Sequence, residues 1–192
     1  MSTILRRQIY EDRLAYFSGN EKKARSMFAN FGRPGLKYMS LYRKADFFQN
    51  KNKLLAKYYF LRKRFYGEKF GLQIGTSLNG HIGNGFKIVH NGLLVIHGSA
   101  IIGDHVTVHQ GVFIGQGINS PEDVPTIGND VYIAPGAKIL GNVKISDNVT
   151  IGANSVVTHD IIEPGVTVAG APAVIIGRKS VVVTKKSVKK YE

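Results

Sequence analysis

The stretch at residues 126–157, "TIGNDVYIAPGAKILGNVKISDNVTIGANSVV", places an aliphatic residue at every sixth position. The repeated residues are Ile127, Ile133, Ile139, Ile145, Ile151 and Val157. An α-helix has no period of six. Three six-residue segments, by contrast, form a coil of about 18 residues with one inward aliphatic side chain on each of three faces. Because stacked coils bury a core that no single coil could bury, the period predicts a mainly β fold, a parallel left-handed β-helix.

The same ladder continues toward the N-terminus, with two interruptions. Its earlier members are Ile82, Ile88, Ile96, Ile102, Val108 and Ile114. Eight residues instead of six separate Ile88 from Ile96, and thirteen separate Ile114 from Ile127. Extra residues in a solenoid loop out at its corners and often border the binding surface. We therefore expect the turn in "KIVHNGLLVIHG" and the loop 116–126 to lie beside the functional site.

Counting through the interruptions aligns the successive coils. The residues that fall on one face are Ile88, Val108 and Ile133. His90, Gln110 and Pro135 then form one column of polar and turn-like positions, and His109 lies over Val89. The count predicts that His90 stands at a corner, outside the aliphatic interior.

Charge and aromatic content divide the 192 residues into three segments. Residues 1–70 hold 17 Lys/Arg, 5 Asp/Glu and 15 of the 19 Phe and Tyr residues. Residues 71–178 have a net charge of −3, and the tail 179–192 has a net charge of +4. We expect a basic helical segment at 1–70, the β-helix at 71–178 and a basic C-terminal tail at 179–192.

Residues 1–70 indicate helices, because "NEKKARSMFANF" is rich in helix formers and is followed by the breaker "GRPG". A second helical stretch spans residues 36–67, where Leu54, Leu55 and Tyr58 begin an apolar stripe. Two interpretations remain open. The segment is either a helical cap with solvated Lys/Arg faces, or a surface that meets an anionic membrane or an acidic glycan. No nucleic-acid motif is present, so no nucleic-acid partner is expected.

Composition excludes several classes of protein. The chain contains no cysteine, which excludes disulfides, thiolate zinc sites and a cysteine acyl-enzyme. No run of about 18 apolar residues predicts a transmembrane helix, and the N-terminus lacks the apolar run of a secretory signal. We expect a cytoplasmic protein that the basic segment could hold at the inner face of the membrane.

Two stretches, "IGNDVYIAPGAKILGNVKISDNVTIGANSVV" and "VAGAPAVIIGR", resemble the hexapeptide-repeat acyltransferases. Within these, "GFKIVHNGLLVIHGSAIIGDHVTVHQGVFIG" is similar to the serine acetyltransferase branch. It looks most like the O-acetyltransferases of capsule and exopolysaccharide gene clusters. The resemblance covers roughly residues 71–178. It implies a homotrimer with acetyl-CoA as acetyl donor, bound in the groove between neighbouring β-helices.

The resemblance also implies that His90 is the catalytic base. A hydroxyl group is a weak nucleophile at neutral pH, and a histidine with a pKa near 7 can take its proton as it attacks a thioester. The oxyanion that forms then needs N–H or other hydrogen-bond donors. This chemistry requires neither a covalent intermediate nor a metal.

The resemblance implies further site residues, each with a structural alternative. The residues implied for the pantetheine arm and its flank are Gly115, Pro135, Gly136, Ala153, Asn154 and Pro172. Arg178 and Lys179 are candidates for the CoA 3′-phosphate, or are solvated charges before the tail. The candidates for contacting the acceptor or supporting catalysis are His109, Gln110, Glu122 and Asp123. Structural hydrogen bonding at His109, and a solvated loop at the two acids, are the alternatives.

The chain departs from the serine acetyltransferase pattern at three positions. The family's aspartate before the catalytic histidine is Val89 here, its loop histidine is Val124, and a further aspartate falls at about Gly75. From these losses we expect the acceptor to be a carbohydrate hydroxyl, on a polysaccharide or a lipid-linked precursor. The alternatives are a serine O-acetyltransferase of cysteine biosynthesis, a non-catalytic β-helix scaffold, and a zinc enzyme with three histidine ligands.

Overall fold

The computed structural model describes residues 2–76, 81–118, 120 and 123–180. Four helices come first: α1 (Thr3–Tyr16), α2 (Glu21–Arg25), α3 (Pro34–Phe48) and α4 (Lys53–Phe70). Fifteen short strands follow: β1 (Leu72–Ile74), β2 (His81–Ile82), β3 (Lys87–Ile88), β4 (Leu94–Ile96), β5 (Ile101–Ile102), β6 (Thr107–Val108), β7 (Phe113–Gly115), β8 (Thr126–Ile127), β9 (Tyr132–Ile133), β10 (Lys138–Leu140), β11 (Lys144–Ile145), β12 (Thr150–Ile151), β13 (Val156–Val157), β14 (Thr167–Gly170) and β15 (Ala173–Gly177). Beyond Ser180, the predicted basic tail lies outside the described residues.

The strands form the three faces of a solenoid. The first face is β1-β4-β7-β10-β13, the second is β2-β5-β8-β11, and the third is β3-β6-β9-β12-β14. Every pair within these faces is parallel, and β15 closes the third face as an antiparallel strand on β14. The prediction of a parallel left-handed β-helix behind an N-terminal helical segment is confirmed.

The aliphatic ladder forms the core. Its side chains are at most 3% exposed, and Ile102, Val108, Ile114, Ile133, Ile139 and Ile151 are fully buried. Each such side chain contributes about 1.5–3 kcal/mol by leaving water. On the third face Ile88 pairs with Val108, and Val108 pairs with Ile133. This is the register that the coil count predicts.

Both interruptions of the ladder lie at corners. Strand β3 ends at Ile88 and β4 begins at Leu94, so residues 89–93 make a wide turn between the third and first faces. Gly92 has φ +114° and Leu93 has φ +49°, backbone values that let the chain reverse within so few residues. The longer insertion connects β7 on the first face to β8 on the second face.

The helical segment covers the open edge of the first coil, where strand groups have no coil above them to pair with. Polar side chains from the helices satisfy these groups. Arg43 donates to the carbonyls of Ile82 and Gly83, both at 2.5 Å. Lys63 Nζ donates to the Ile74 carbonyl at 2.7 Å, and the Tyr38 hydroxyl accepts the Ile74 N–H at 2.8 Å.

Asp12 completes this cap from α1. Its carboxylate accepts the Phe86 N–H at 3.0 Å and pairs with Arg43 at 2.9 and 3.0 Å, and both side chains are 2% exposed. Burial raises the pKa of Tyr38 to about 12 and lowers the pKa of Lys63 to about 8. Buried polar groups therefore fix the helices to the solenoid beside the side chains of Tyr38, Met39 and Tyr42, which join the core.

Two expectations for the helical segment were wrong in detail. The stretch 20–31 is helical only over Glu21–Arg25, and turns follow. In α4 the apolar stripe faces outward, and the buried positions are Lys63 and Gly67. An added Cβ at Gly67 would meet the Leu72 carbonyl, so the helix lies too close to the solenoid for a larger residue there. Among the described helices, none combines the length and apolarity needed to cross a membrane.

Candidate active site

His90 stands at the corner between the third and first faces. Strand β3 carries the chain to Ile88, and the wide turn then exposes the His90 side chain on the surface. Gly111 N–H donates to the Gly92 carbonyl at 3.0 Å, which ties this turn to the next coil. The sequence-based placement of His90 outside the aliphatic interior agrees with this geometry.

A column of corner residues runs along the solenoid from His90. Gly136 N–H donates to the Gln110 carbonyl, and Asn154 N–H donates to the Pro135 carbonyl, each at 2.9 Å. Since neighbouring coils lie about 4.8 Å apart, the three steps from His90 to the level of Asn154 span about 14 Å. We call these residues (His90, Gln110, Pro135–Gly136 and 153–154) the corner column.

The side chains of the corner column at Pro135, Gly136, Ala153 and Asn154 are short. Gly136 has φ +75°, and a Cβ there would collide with Asn154 Oδ1, so only glycine fits the turn. Pro135 and Gly136 are half-buried, and Ala153 and Asn154 are exposed. Beyond Gln110, the corner column therefore carries only short side chains.

His109 lies next to His90 on the following coil. The two rings are 5.7 Å apart between centroids, and the His109 and Tyr132 rings form an edge-to-face pair with centroids 5.1 Å apart. Both His109 ring nitrogens, and Gln110 Oε1, are buried without a hydrogen-bond partner among the described residues. Burial lowers the pKa of His109, and the nearby His90 and Lys87 lower it further. At neutral pH His109 is therefore an uncharged imidazole with unused hydrogen-bonding capacity.

Pro172 continues the corner column: it follows β14, whose Val168 pairs with Ile151, so its turn lies one coil beyond Ala153 and Asn154. The other three predicted cofactor residues lie away from the corner column. Gly115 ends β7 on the first face. Arg178 forms an ion pair with Glu163 at 2.5 Å, and the Lys179 carbonyl accepts a hydrogen bond from Thr167 at 2.6 Å. The structure does not bring these three positions together with His90 within one subunit.

Of the two acids predicted to act from the loop, the structure describes only Asp123. Asp123 is half-buried, and its backbone carbonyl accepts the Gly117 N–H at 2.8 Å, which closes the loop on itself. Glu122 lies outside the described residues. Where the structure describes the chain, it holds no group of three or more His, Asp or Glu side chains that could bind a metal ion.

Lys87 and Tyr132 are two residues of this region that the sequence analysis missed. Each begins a strand of the third face, and its side chain points outward. Val89 and His109, which follow Lys87 and Thr107 by two residues, point to the same side. The period of two along a strand could have identified them, since it places Lys87 on the side that carries His109.

The comparisons with known proteins agree with this architecture. Residues 125–159 match the family described as bacterial transferase hexapeptide (six repeats). A serine acetyltransferase of Synechococcus elongatus is 43% identical over 101 residues, 52% of this chain and 41% of that protein. One from Staphylococcus aureus strain Mu50 is 45% identical over 105 residues, 54% of this chain and 49% of that protein. The chain thus spans about half the length of the curated relatives it matches.

Solved structures give the same result at lower identity. The serine acetyltransferase of Brucella abortus in complex with coenzyme A has a TM-score of 0.74 and 28% identity, covering 90% of this chain and 68% of that one. The serine acetyltransferase of Vibrio cholerae has a TM-score of 0.75 and 28% identity, covering 97% and 70%. The repeat region is similar to that of hexapeptide-repeat transferases. The relatives that it resembles are serine acetyltransferases.

These relatives correct the sequence-based prediction of the acceptor. The predicted closeness to capsule and exopolysaccharide O-acetyltransferases was wrong, and with it the carbohydrate acceptor. The prediction of a carbohydrate acceptor gave three single-residue departures from the family pattern, among them Val89 and Val124, more weight than the similarity of the surrounding coils. Over the repeat region as a whole, the chain is similar to serine acetyltransferases.

Proposed function

We propose that the chain is an acetyl-CoA-dependent O-acetyltransferase that acetylates the hydroxyl of serine, with His90 as general base. The observation that carries the proposal is the exposed His90 imidazole at one end of the corner column. The similarity to serine acetyltransferases supports both the donor and the acceptor.

The reaction needs one proton carrier. His90 takes the proton of the serine hydroxyl as the oxygen attacks the thioester carbonyl, forming a C–O bond and a tetrahedral oxyanion. The C–S bond then breaks, and the imidazolium returns its proton to the departing CoA thiolate. The products are O-acetylserine and CoA, and His90 is neutral again.

The corner column fits the donor. An extended pantetheine arm needs a long surface with backbone groups in reach, and the column extends for about 14 Å from His90, with short side chains beyond Gln110. Pro135, Gly136, Ala153 and Asn154 would line this arm. Arg178 is already paired with Glu163, so the exposed Lys179 is the better candidate for the 3′-phosphate.

We also propose that the enzyme is a homotrimer. His90 is exposed on the single chain, whereas chemistry of this kind works best where water is excluded. A neighbouring β-helix would cover the corner and form the second wall of the groove. Light scattering should give three times the 21.1 kDa chain mass, and a monomer that is fully active would contradict the proposal.

The direct test incubates the enzyme with acetyl-CoA and L-serine and measures free thiol. His90→Ala should keep acetyl-CoA binding and lower kcat by about 10²–10⁴, because a general base contributes that much. His159→Ala is the matched control, since His159 is also exposed but lies outside the corner column. Near-normal turnover by His90→Ala would refute its role, and no thiol release by the natural chain would refute the activity.

We further propose that α4 contacts an anionic membrane surface. Leu54, Tyr58, Leu61 and Phe65 lie on one side of the helix at helical spacing and are 40–82% exposed. The helix carries six Lys/Arg and one Glu, so a second copy of it would meet like charge, whereas anionic headgroups would be attracted.

Vesicle flotation tests this contact. The chain should float with phosphatidylglycerol vesicles at low salt and stay behind with phosphatidylcholine vesicles. Leu54→Ser/Phe65→Ser should reduce the floated fraction several-fold, because both apolar anchors are removed. Equal flotation with both lipids, or a concentration-dependent mass in place of flotation, would contradict the membrane contact.

A further inference from the structure

The third face and its corner carry buried polar atoms beside His90 that form no hydrogen bond with the described residues. They are the two His109 ring nitrogens and Gln110 Oε1, and the half-buried side chain of Lys87 lies on the same side of the face. Buried polar groups in native proteins are almost always hydrogen-bonded, so an unpaired cluster of them indicates a missing ligand. The cluster adjoins the proposed general base, which places that ligand among the reactants.

Lys87 supplies the positive charge of the cluster. Its side chain is half-buried on the edge strand β3, and burial lowers the pKa of its ammonium group. Within the described ranges no carboxylate forms an ion pair with it. A partly desolvated cation without a counter-ion is costly, and binding an anion offsets this cost.

His109 supplies directed hydrogen bonds. Its ring packs against the Tyr132 ring, and it is close enough to His90 that one small molecule can touch both. Strands β3 and β6 pair Lys87 with Thr107, so Lys87 and His109 are diagonal neighbours that a long side chain can bring together. A neutral His109 donates one N–H to an anion without competing with Lys87 for charge.

The dimensions and charges of the cluster match a free amino acid. In serine one carbon atom links the hydroxyl-bearing carbon to the carboxylate, so a single molecule reaches from His90 to His109. Its ammonium group would be a donor for Gln110 Oε1, a buried acceptor without a donor in the described chain. A neutral sugar hydroxyl would leave Lys87 without its anion.

We propose that Lys87 and His109 bind the carboxylate of the acceptor amino acid while its hydroxyl faces His90. This inference rests on the proposed function and assigns the residues that select its acceptor. It is also compatible with an apolar residue at Val89, next to His90. The charge that selects the substrate lies at Lys87, two residues before Val89. The second group that would bind the carboxylate is His109, one coil after Val89.

The test compares L-serine with L-serinamide, which has the same shape but no carboxylate. Lys87→Met should raise the KM for serine about 10- to 100-fold, as expected for the loss of a hydrogen-bonded charge pair. The ratio of kcat/KM for serine to that for serinamide should fall by the same factor. The KM for acetyl-CoA and the melting temperature should not change.

Lys144→Met is the matched control. Lys144 also begins a two-residue strand, β11, but it is exposed on the second face and should leave the ratio unchanged. His109→Phe keeps a ring against Tyr132 while removing both nitrogens, and should lower the ratio as Lys87→Met does. A purely structural role would reduce activity toward both acceptors equally.

The outcomes are distinguishable. Loss of the serine preference in Lys87→Met and His109→Phe, with Lys144→Met unchanged, supports the carboxylate site. An unchanged ratio in both variants overturns the site while the proposed activity stands. Failure of the natural chain to acetylate serine overturns the proposed function itself, and the carboxylate site with it.

Discussion

Replacing Arg43 by methionine tests how the helices hold the solenoid. The Arg43 guanidinium makes four buried hydrogen bonds, two to the Asp12 carboxylate and two to the carbonyls of Ile82 and Gly83. Methionine preserves much of the volume and none of the donors. The substitution therefore leaves two backbone carbonyls without this donor, and the Asp12 carboxylate without its counter-ion, in a buried layer where Phe86 N–H remains a donor to Asp12.

The expected cost follows from this geometry. Removing one member of a buried ion pair destabilises a protein by about 3–5 kcal/mol. For a chain of this length 1 kcal/mol shifts the melting temperature by about 2–4 °C, so Arg43→Met should melt about 6–20 °C lower. Asp12→Leu/Arg43→Met removes both charges and should recover at least about 1 kcal/mol relative to the single variant.

Thermal melts followed by circular dichroism at 222 nm measure this difference. Arg64→Met is the control, because Arg64 pairs with Glu68 on the surface of α4 with 66% and 52% of the side chains exposed. That pair is worth no more than about 0.5 kcal/mol. An Arg43→Met protein that melts within 2 °C of the natural chain would show that the buried pair does not hold the helical cap.

Four further changes test the core, the corner column and the cap. Ile139→Ala should cost about 2–5 kcal/mol in a urea titration, since the side chain is fully buried. Gly136→Ala should lower stability by more than about 1 kcal/mol, because φ is +75° and the Cβ meets Asn154. The same change should raise the KM for acetyl-CoA, and an unchanged KM would exclude Gly136 from the donor site. Asn52→Ala should cost about 1 kcal/mol through the lost helix cap, as measured by the melting temperature. The pKa of Lys63 is about 8 in the folded chain and 10.5 ordinarily, so the unfolded chain binds more protons between these two pH values. The free energy of unfolding should therefore rise with pH across that window. A Lys63→Met variant should lack this rise, and identical pH profiles of the two proteins would contradict the prediction.

The candidate site was predictable as far as strand periodicity reaches. Counting in sixes placed His90, Gln110 and Pro135 in one column and His109 over Val89, as the strand register shows. The count could not show that the His109 nitrogens lack partners, because hydrogen bonds depend on side-chain positions in neighbouring coils. It also gave no weight to Lys87, because its partial burial and its closeness to His109 are visible only in the structure.

The sequence by itself determined the solenoid, because each coil repeats the same local requirement: an inward aliphatic residue and a small residue where the chain turns. Such a repeat is visible in one dimension, since every coil contacts only its neighbours. Only the tertiary structure decided how the helices meet the solenoid. The predicted apolar stripe that begins with Leu54, Leu55 and Tyr58 is exposed, whereas Arg43 and Lys63, in a segment predicted to have solvated Lys/Arg faces, are buried. The reason is that the edge of the first coil presents unpaired backbone groups, and polar side chains satisfy them where apolar ones cannot.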